Sequence, residues 1–365
     1  MLPPVLVRRL VLMPLVVVFA VVFIVLSPVL AVLALVCGLI ALPRGGRMRS
    51  LRLTFFTLIG LSADLATLFA LAGLWIASGF GRRLGTEAYQ RRHYELMRWF
   101  LDTAYWGAGR AYGLHLEVEE PAPSGEGMIS LLTRPVIVLS RHAGPGDSFM
   151  LIHQLLSVYS RSPRLVMKAA LQLDPTVDLF GNRLPNVFID KHETGENIFT
   201  RQIKQLAAGI GERGALVIFP EGGNWTPLRW RRGIRRLEDQ GRPTLASRAR
   251  HMPNLLPPRP GGALAAIEAC PEADVIFVAH SGMETIITIG DVWSRFPIDQ
   301  VIKARWWRVP HDQVPREAEH EDRVKWLYDW WQLIDAWITA NRPEGAAEHE
   351  HPAHSGDQTT EPVKD

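Results

Sequence analysis

The sequence PVIVLSRHAGPGDSFMLIHQLL, at residues 135–156, decides how the middle of this chain folds. Its first part, PVIVL, is a short apolar run that predicts a buried strand, and FMLIHQLL predicts a helix. The intervening Ala-Gly-Pro-Gly segment favours a tight loop, because glycine and proline suit the backbone angles of turns. A strand, a loop and a helix in this order form the repeating unit of α/β folds.

Three later segments have the same pattern of a short apolar strand that ends in polar or loop-forming residues. They run from Val187 to Lys191, from Ala215 to Gly223 and from Val275 to Gly282. The carboxyl ends of parallel strands meet at one edge of a sheet, and ligands bind at that edge in open α/β folds. The sequence therefore predicts an α/β fold with a mixed, largely parallel sheet flanked by helices. It also predicts one site built from segments that are distant along the chain.

The first 80 residues contain two long apolar stretches. Residues 10–42 include no charged residue, and residues 53–80 include only Asp64. About 20 apolar residues span a bilayer, whereas the apolar part of a cleaved leader is about 7–15 residues long. We therefore expect residues 1–80 to form a two-helix membrane hairpin. Arginines flank every end of the two stretches, so the charge pattern does not choose between a full span and a hairpin in one leaflet.

The rest of the chain divides into four parts. We expect a connecting helix at residues 81–113, an α/β domain at residues 114–315, an amphipathic helix at residues 316–341 and a disordered tail at residues 342–365. The tail is polar and rich in His, Glu and Pro, a composition typical of disorder. The broad apolar stripe of the last helix indicates either a cover for the core or a contact with the membrane interface.

The charge and the cysteine content restrict the partners. The formal net charge is +3, and the tail is acidic, so the remainder of the chain is more basic than the total. A basic chain with a membrane hairpin suits an anionic membrane surface or an anionic substrate, and we expect no nucleic-acid partner. The two cysteines, Cys37 and Cys270, lack the spacing of a disulfide framework or of a metal site, and we expect no metal.

The residues of the loop that carry chemistry are His142 and Asp147. A spacing of five would turn the two side chains apart on a regular helix, but the glycines and proline between them let the loop bring Asp147 back toward the imidazole. In such a pair the aspartate orients the imidazole, and the histidine removes a proton from an attacking hydroxyl. The alternative is a plain strand-to-helix loop with a capping aspartate and a solvated histidine.

Two further motifs follow this pair along the chain. The first is Asn-Val-Phe-Ile-Asp-Lys at residues 186–191, and the second is Phe-Pro-Glu-Gly at residues 219–222. Together with His142 and Asp147, this ordered set resembles the glycerolipid acyltransferase family, the membrane enzymes of phosphatidic acid synthesis. The resemblance extends over about residues 135–290, and the N-terminal hairpin agrees with it.

The resemblance implies transfer of a fatty acyl chain from an acyl thioester to a hydroxyl of a glycerol phosphate or lysophospholipid. The donor, acyl coenzyme A or acyl carrier protein, is a co-substrate, and no other cofactor is implied. His142 would be the general base and Asp147 its orienting partner. Because such donors are cytoplasmic, the catalytic domain would lie on the cytoplasmic side of the cell membrane. The substrate would be bound by residues from all three motifs: Arg141, Asp190, Lys191, Glu221, Gly222 and Gly223.

The sequence departs from the family pattern at positions that bear on the acceptor. Lys191 stands where the family usually has an arginine for the acceptor phosphate, and lysine cannot make the bidentate contact of an arginine. Arg141 stands where an asparagine is usual, and the third motif continues Gly-Gly-Asn in place of Gly-Thr-Arg. The last strand lacks the usual proline and ends near His280, which is either a site residue or a structural histidine. The resemblance therefore indicates the reaction class more directly than the acceptor.

A basic segment follows the third motif. Five of the eight residues from Arg229 to Arg236 are arginines. One interpretation is a binding surface for lipid head groups or for the phosphates of the acyl donor. The other is a solvated helix face, which is the commoner fate of such a run of charges.

Two other functions are compatible with the sequence. Ser148 or Ser281 would be the nucleophile of a membrane-anchored serine hydrolase or lipase beside His142, although the sequence has no Gly-x-Ser-x-Gly elbow. The second alternative is a non-catalytic lipid-binding scaffold. Release of free fatty acid without an acceptor would favour the hydrolase, and binding of lipid without turnover would favour the scaffold.

Overall fold

The computed structural model of the chain describes residues 2–44, 47–120, 133–144, 146–189, 196–283 and 301–342. The predicted disordered tail lies outside these residues, except for Arg342. Within the described residues, the chain forms two long N-terminal helices, a third helix beside them, and a sheet with helices on both faces.

Two apolar N-terminal helices pack against each other as a hairpin. Helix α1 spans Val5–Ala41 and helix α2 spans Arg49–Ala77, and by length and composition both are able to cross a membrane. Near the reversal of the chain, the Ser50 hydroxyl donates a hydrogen bond to the Ala34 carbonyl at 2.7 Å. α1 leaves most of its apolar side chains exposed, whereas α2 buries more of its surface against the rest of the protein.

Helix α3, Glu87–Tyr112, connects the hairpin to the sheet. It packs along α2, and Gly107 permits the close approach, because a Cβ at that position would lie 3.1 Å from Ile59 Cγ2. On its other side, the Tyr94 hydroxyl donates a hydrogen bond to the Pro163 carbonyl of the sheet at 3.0 Å. α3 therefore contacts both parts of the structure.

A sheet of seven strands forms the centre of the α/β part. In chain order, its strands are β1 His115–Glu119, β2 Val136–Ser140, β3 Ser162–Lys168, β4 Val187–Ile189, β5 Gly214–Ile218, β6 Asp274–Ser281 and β7 Val301–Val309. Their order in the sheet is β1-β7-β6-β2-β5-β3-β4. Strands β2 to β6 pair in parallel, β7 is antiparallel to β6, and β1 is parallel to β7. The prediction of a mixed, largely parallel sheet is confirmed.

Helices cover both faces of this sheet. In chain order, they are α4 Asp147–His153, α5 Pro175–Arg183, α6 Glu196–Ala208, α7 Pro227–Asp239, α8 Pro243–Arg250, α9 Pro260–Ala269 and α10 His320–Ala340. Side chains alternate along a strand, so Ile137 and Leu139 of β2 face the core under α6 to α10, while Val136 and Val138 face α4. The central strands read as continuous apolar runs because both faces of the sheet are covered.

The apolar stripe of α10 covers the core. Leu327, Trp331 and Ile334 are buried there, and Trp330 stacks on Phe277 of β6 with ring centroids 4.6 Å apart. Of the two interpretations of this stripe, the structure therefore shows the cover for the core.

Polar contacts attach the hairpin to the α/β part at two points. Arg8 of α1 makes an ion pair with Asp178 of α5 at 2.9 Å, and both side chains are buried. The Thr176 hydroxyl of α5 donates a hydrogen bond to Asp64. The one charged residue in the second apolar stretch is thus a partner of α5, and the hairpin is an integral part of the fold.

Candidate active site

The carboxyl edge of the sheet brings together the ends of β2, β5 and β6. His142 and Asp147 follow β2, Glu221 follows β5, and His280 lies at the end of β6. The main-chain N–H of His142 contacts Glu221, and His280 lies beside Asp147. Residues from distant segments therefore meet at one site, as the pattern of strand ends predicts.

His142 and Asp147 form a hydrogen-bonded pair. The imidazole Nδ1 lies 3.0 Å from both carboxylate oxygens of Asp147. The aspartate side chain is buried, whereas the His142 side chain keeps 16% of its surface exposed. When Nδ1 donates its proton to Asp147, Nε2 is left as the proton acceptor of the pair. The pair therefore has the orientation that a general base requires.

The loop fixes Asp147 with main-chain hydrogen bonds. The N–H groups of Ala143 and Gly144 donate to Asp147 Oδ2 at 2.7 and 3.1 Å, and the Ser148 hydroxyl donates to Oδ1 at 3.2 Å. Burial alone would raise the pKa of Asp147, but the hydrogen bond from His142, the charge of His280 and these main-chain donors together hold that pKa below its usual value. The structure therefore favours an ionised aspartate beside the imidazole.

Glu221 supports His142 from the neighbouring strand. Its Oε1 accepts a hydrogen bond from the main-chain N–H of His142 at 2.9 Å, and its Oε2 accepts one from the N–H of Leu256 at 2.9 Å. The N–H of Trp225 donates to the His142 carbonyl at 2.9 Å, so both sides of the His142 backbone are held. Burial raises the pKa of Glu221 to about 7. Its carboxylate thus binds the backbone that carries the imidazole.

Arg141 lies in the core and not in the site. Its guanidinium is 1% exposed and donates hydrogen bonds to the carbonyls of His280 at 2.6 Å and Asn254 at 3.2 Å. The strand alternation explains this placement, because Arg141 continues the face of Ile137 and Leu139. The expectation that Arg141 binds the substrate is therefore corrected: its buried side chain joins β2 to the end of β6.

Gly222 and Gly223 line a cleft beside this site. Its volume is about 210 Å³, and its lining residues are Glu221, Gly222, Gly223, Arg229, Arg232, Gly233, Arg236, Leu256, Pro257 and Arg259. Gly222 has a left-handed backbone with φ of 68°. A Cβ there would lie 3.3 Å from Arg259 Cζ, and a Cβ on Gly223 would lie 3.3 Å from Arg229 Nη1. The two glycines therefore let arginines approach the loop closely.

The arginine run of α7 divides between two faces of the helix. Arg229, Arg232 and Arg236 share one face, as their spacing of three and four residues requires, and they line the cleft. Arg231 and Arg235 are exposed on another side. Planar guanidinium groups that converge on one cleft favour an anionic ligand such as a phosphate. The exposed positions of Arg231 and Arg235 fit a solvated helix face, whereas binding of an anion by the arginines that line the cleft stays a prediction.

Two of the predicted binding residues, Asp190 and Lys191, lie outside the described residues. The structure also places two other residues at this site. The sequence did not predict Arg259, and it left the role of His280 open. Arg259 reaches the cleft from a segment that has no motif, and His280 lies 3.6 Å from Asp147 Oδ2. Among the residues that the structure describes, no group of His, Cys, Asp and Glu side chains could hold a metal ion.

The comparison with protein families agrees with this geometry. A model of the acyltransferase family matches residues 115–281, from the start of β1 to the end of β6. This match identifies an acyltransferase domain over residues 115–281 of the chain. No curated protein and no solved structure matches the chain at a significant level.

Proposed function

We propose that this protein is a membrane-bound O-acyltransferase that transfers a fatty acyl chain from an acyl thioester to a hydroxyl of a phosphorylated glycerol or lysophospholipid. The observation that carries the proposal is the hydrogen-bonded pair of His142 and Asp147 beside a cleft lined by arginines. The pair supplies a base for a hydroxyl, and the cleft supplies cations for a phosphate. The match to the acyltransferase family supplies the reaction class.

In the proposed reaction, Nε2 of neutral His142 accepts the proton of the acceptor hydroxyl as the oxygen attacks the thioester carbonyl carbon. The carbon–sulfur bond then breaks, and the leaving thiolate takes the proton from the imidazolium. The products are an ester and a free thiol, so the protein ends in its starting state. Asp147 stabilises the imidazolium while it exists, as in other His–Asp pairs. Glu221 keeps the His142 backbone in place during both steps.

The cleft is the proposed site of the acceptor phosphate. The cleft is lined by Arg229, Arg232, Arg236 and Arg259. Gly222 and Gly223 also line it, and they directly follow Glu221, which binds the His142 backbone. A phosphate bound there would position the rest of the acceptor near the imidazole, which removes much of the entropic cost of bringing the reactants together. The thioester donor is acyl coenzyme A or acyl carrier protein, and no further cofactor is proposed.

The two apolar helices support a membrane location. The exposed apolar side chains of α1 include Leu10, Phe19 and Val25, and a lipid environment would remove such side chains from water. Lipid acceptors and long acyl chains reside in the same environment. We propose the cytoplasmic side for the catalytic domain, because acyl thioester donors are made there. Nucleic acid has no part in the proposal.

The geometry favours transfer over serine hydrolysis. The Ser148 hydroxyl bonds to Asp147 and not to the imidazole, and Ser281 is buried at the end of β6. Among the described residues, no serine hydroxyl makes a hydrogen bond to His142. A serine nucleophile activated by this histidine would need such a contact.

Radiolabelled acyl transfer by purified protein in detergent tests the proposal. The donors are the palmitoyl and oleoyl thioesters of coenzyme A and of acyl carrier protein. The acceptors are glycerol 3-phosphate, lysophosphatidate and other lysophospholipids. We expect a product that requires both a phosphorylated acceptor and His142, with the folded His142→Ala protein as the control. Free fatty acid formed without an acceptor would indicate the hydrolase. Bound lipid with no product from any pair of substrates would indicate the scaffold.

A further inference from the structure

Asp147 lies between two imidazoles. His142 Nδ1 is 3.0 Å from Oδ2 on one side, and His280 Nε2 is 3.6 Å from the same oxygen on the other. The distance to His280 exceeds that of a strong hydrogen bond but lies within the range of a direct electrostatic interaction. Only the first histidine is explained by the proposed reaction.

The fold dictates the position of His280. Ile276 of β6 faces α4, and His280 lies four residues later on the same side of the strand. Its side chain therefore points toward the first turn of α4, where Asp147 lies, and it is 5% exposed. The Arg141 guanidinium holds the His280 carbonyl at 2.6 Å. The buried arginine thus fixes the backbone from which the imidazole projects.

Among the described residues, two loops bring charged and titratable groups close to this imidazole. The loop after β2 contributes His142, Asp147 and the Arg141 guanidinium, and the loop after β5 contributes Glu221, whose charge acts on Asp147. On β7, the residue opposite His280 is the uncharged Ala304. The nearest of these partners with opposite charge to an imidazolium is Asp147.

We propose that His280 is a positioning residue for acyl transfer, which holds Asp147 in its ionised form and shares its charge with His142. The inference rests on the proposed function. The negative charge of a buried aspartate favours the protonated form of an imidazole beside it, and a protonated imidazole cannot accept the proton of a hydroxyl. The second imidazole offsets this effect, so the pair remains able to act as a base near neutral pH.

Replacement of His280 by glutamine tests the proposal. The variant removes a group that shares the charge of Asp147, so the proton affinity of the coupled His142–Asp147 pair rises. We expect the acid limb of the kcat profile to move to higher pH, with a loss of about 3- to 10-fold in kcat on that limb. The KM values for donor and acceptor should stay within about twofold, because His280 does not contact them in this proposal.

A second readout does not depend on turnover. Diethyl pyrocarbonate modifies only neutral imidazoles, and mass spectrometry of the His142 peptide gives the pH midpoint of this reaction. We expect that midpoint to move to higher pH in His280→Gln, in parallel with the acid limb. The matched control is His153→Gln, because His153 is also buried and lies 3.0 Å from a carboxylate, that of Asp102. His153→Gln should change neither the pH of the acid limb nor the pH midpoint of the His142 modification.

The outcomes separate the inference from the function on which it rests. A shift of both midpoints in the His280 variant alone supports the inference. Wild-type midpoints in a folded His280→Gln protein overturn it, even if wild-type transfer is fast. If the wild type shows no transfer, the proposed function fails, while the modification of His142 still reports the contact with His280. If His280→Gln does not fold, His280→Asn is measured in the same way.

Discussion

Glu221 Oε1 accepts a hydrogen bond from the main-chain N–H of His142 at 2.9 Å, across 79 residues of sequence. The other oxygen of the same carboxylate accepts a hydrogen bond from Leu256 at 2.9 Å. One buried side chain therefore joins the ends of two neighbouring strands to the segment that leads into α9. The position of the imidazole depends on this contact as much as on its own loop.

Glu221→Gln should lower kcat without a comparable rise in KM. The amide has one oxygen, so its NH₂ group must face the N–H of either His142 or Leu256, and the His142 backbone shifts. A misplacement on the order of 1 Å can cost about 100-fold in rate. Acyl-transfer kinetics at saturating donor would measure this. Glu87→Gln is the control, since the Glu87 side chain is exposed and remote, and an equal loss in that variant would contradict the account.

The same carboxyl group predicts a pH dependence of stability. Burial raises the pKa of Glu221 to about 7 in the folded protein, from an ordinary value of 4.5. The folded state thus binds the proton more tightly than the unfolded state. The stabilisation is complete below about pH 4.5 and is lost as pH rises to about 7, by an amount on the order of 3 kcal/mol. We expect the Tm of the wild type, relative to that of Glu221→Gln, to fall over this interval, and a constant difference would contradict the raised pKa.

Arg232→Ala should weaken binding of the phosphorylated acceptor. Arg232 lines the cleft, and a hydrogen bond to a charged group contributes about 1.5–3 kcal/mol, which corresponds to about a 10- to 150-fold rise in the acceptor KM. We expect kcat to change little. Arg231→Ala is the matched control, because this neighbouring arginine is exposed and does not line the cleft. Equal effects of both variants would show that α7 acts only through its overall charge.

Asp178→Ala should destabilise the whole chain and not merely release the hairpin. The substitution leaves the buried Arg8 without the carboxylate to which it is bound at 2.9 Å. Loss of one partner of a buried pair costs about 3–5 kcal/mol, whereas loss of an exposed pair costs about 0–1 kcal/mol. Thermal unfolding in detergent measures the difference. Glu87→Ala, which removes the exposed partner of Arg91, provides the comparison.

The sequence was sufficient to predict the elements that position the site. The strands before His142 and Glu221 are short apolar runs followed by loop-forming residues, and this signal is local. The contact between His142 and Asp147 could also be predicted from the sequence, because glycine and proline favour a turn between them. These features depend on residues close together along the chain, so pattern and backbone preferences describe them well.

The side chains that depend on tertiary packing were harder to predict. Arg141 was expected in the site, but the alternation along β2 turns it into the core, toward Asn254. The period of two along the strand, counted from Ile137, places Arg141 on the core face. Arg259 could not be found from the sequence, because its segment has no motif and its approach to Gly222 depends on tertiary packing.

The most direct test of the central claim compares three variants in the acyl-transfer assay, with the best donor and acceptor of the wild type. We expect His142→Ala to abolish transfer and Asp147→Asn to reduce kcat by about 10⁴-fold, as in other His–Asp pairs. Ser148→Ala, which removes a neighbouring hydroxyl that does not contact the imidazole, should retain most of the activity. Near-normal transfer by folded His142→Ala, or complete loss with Ser148→Ala alone, would contradict the assignment of His142 as the base.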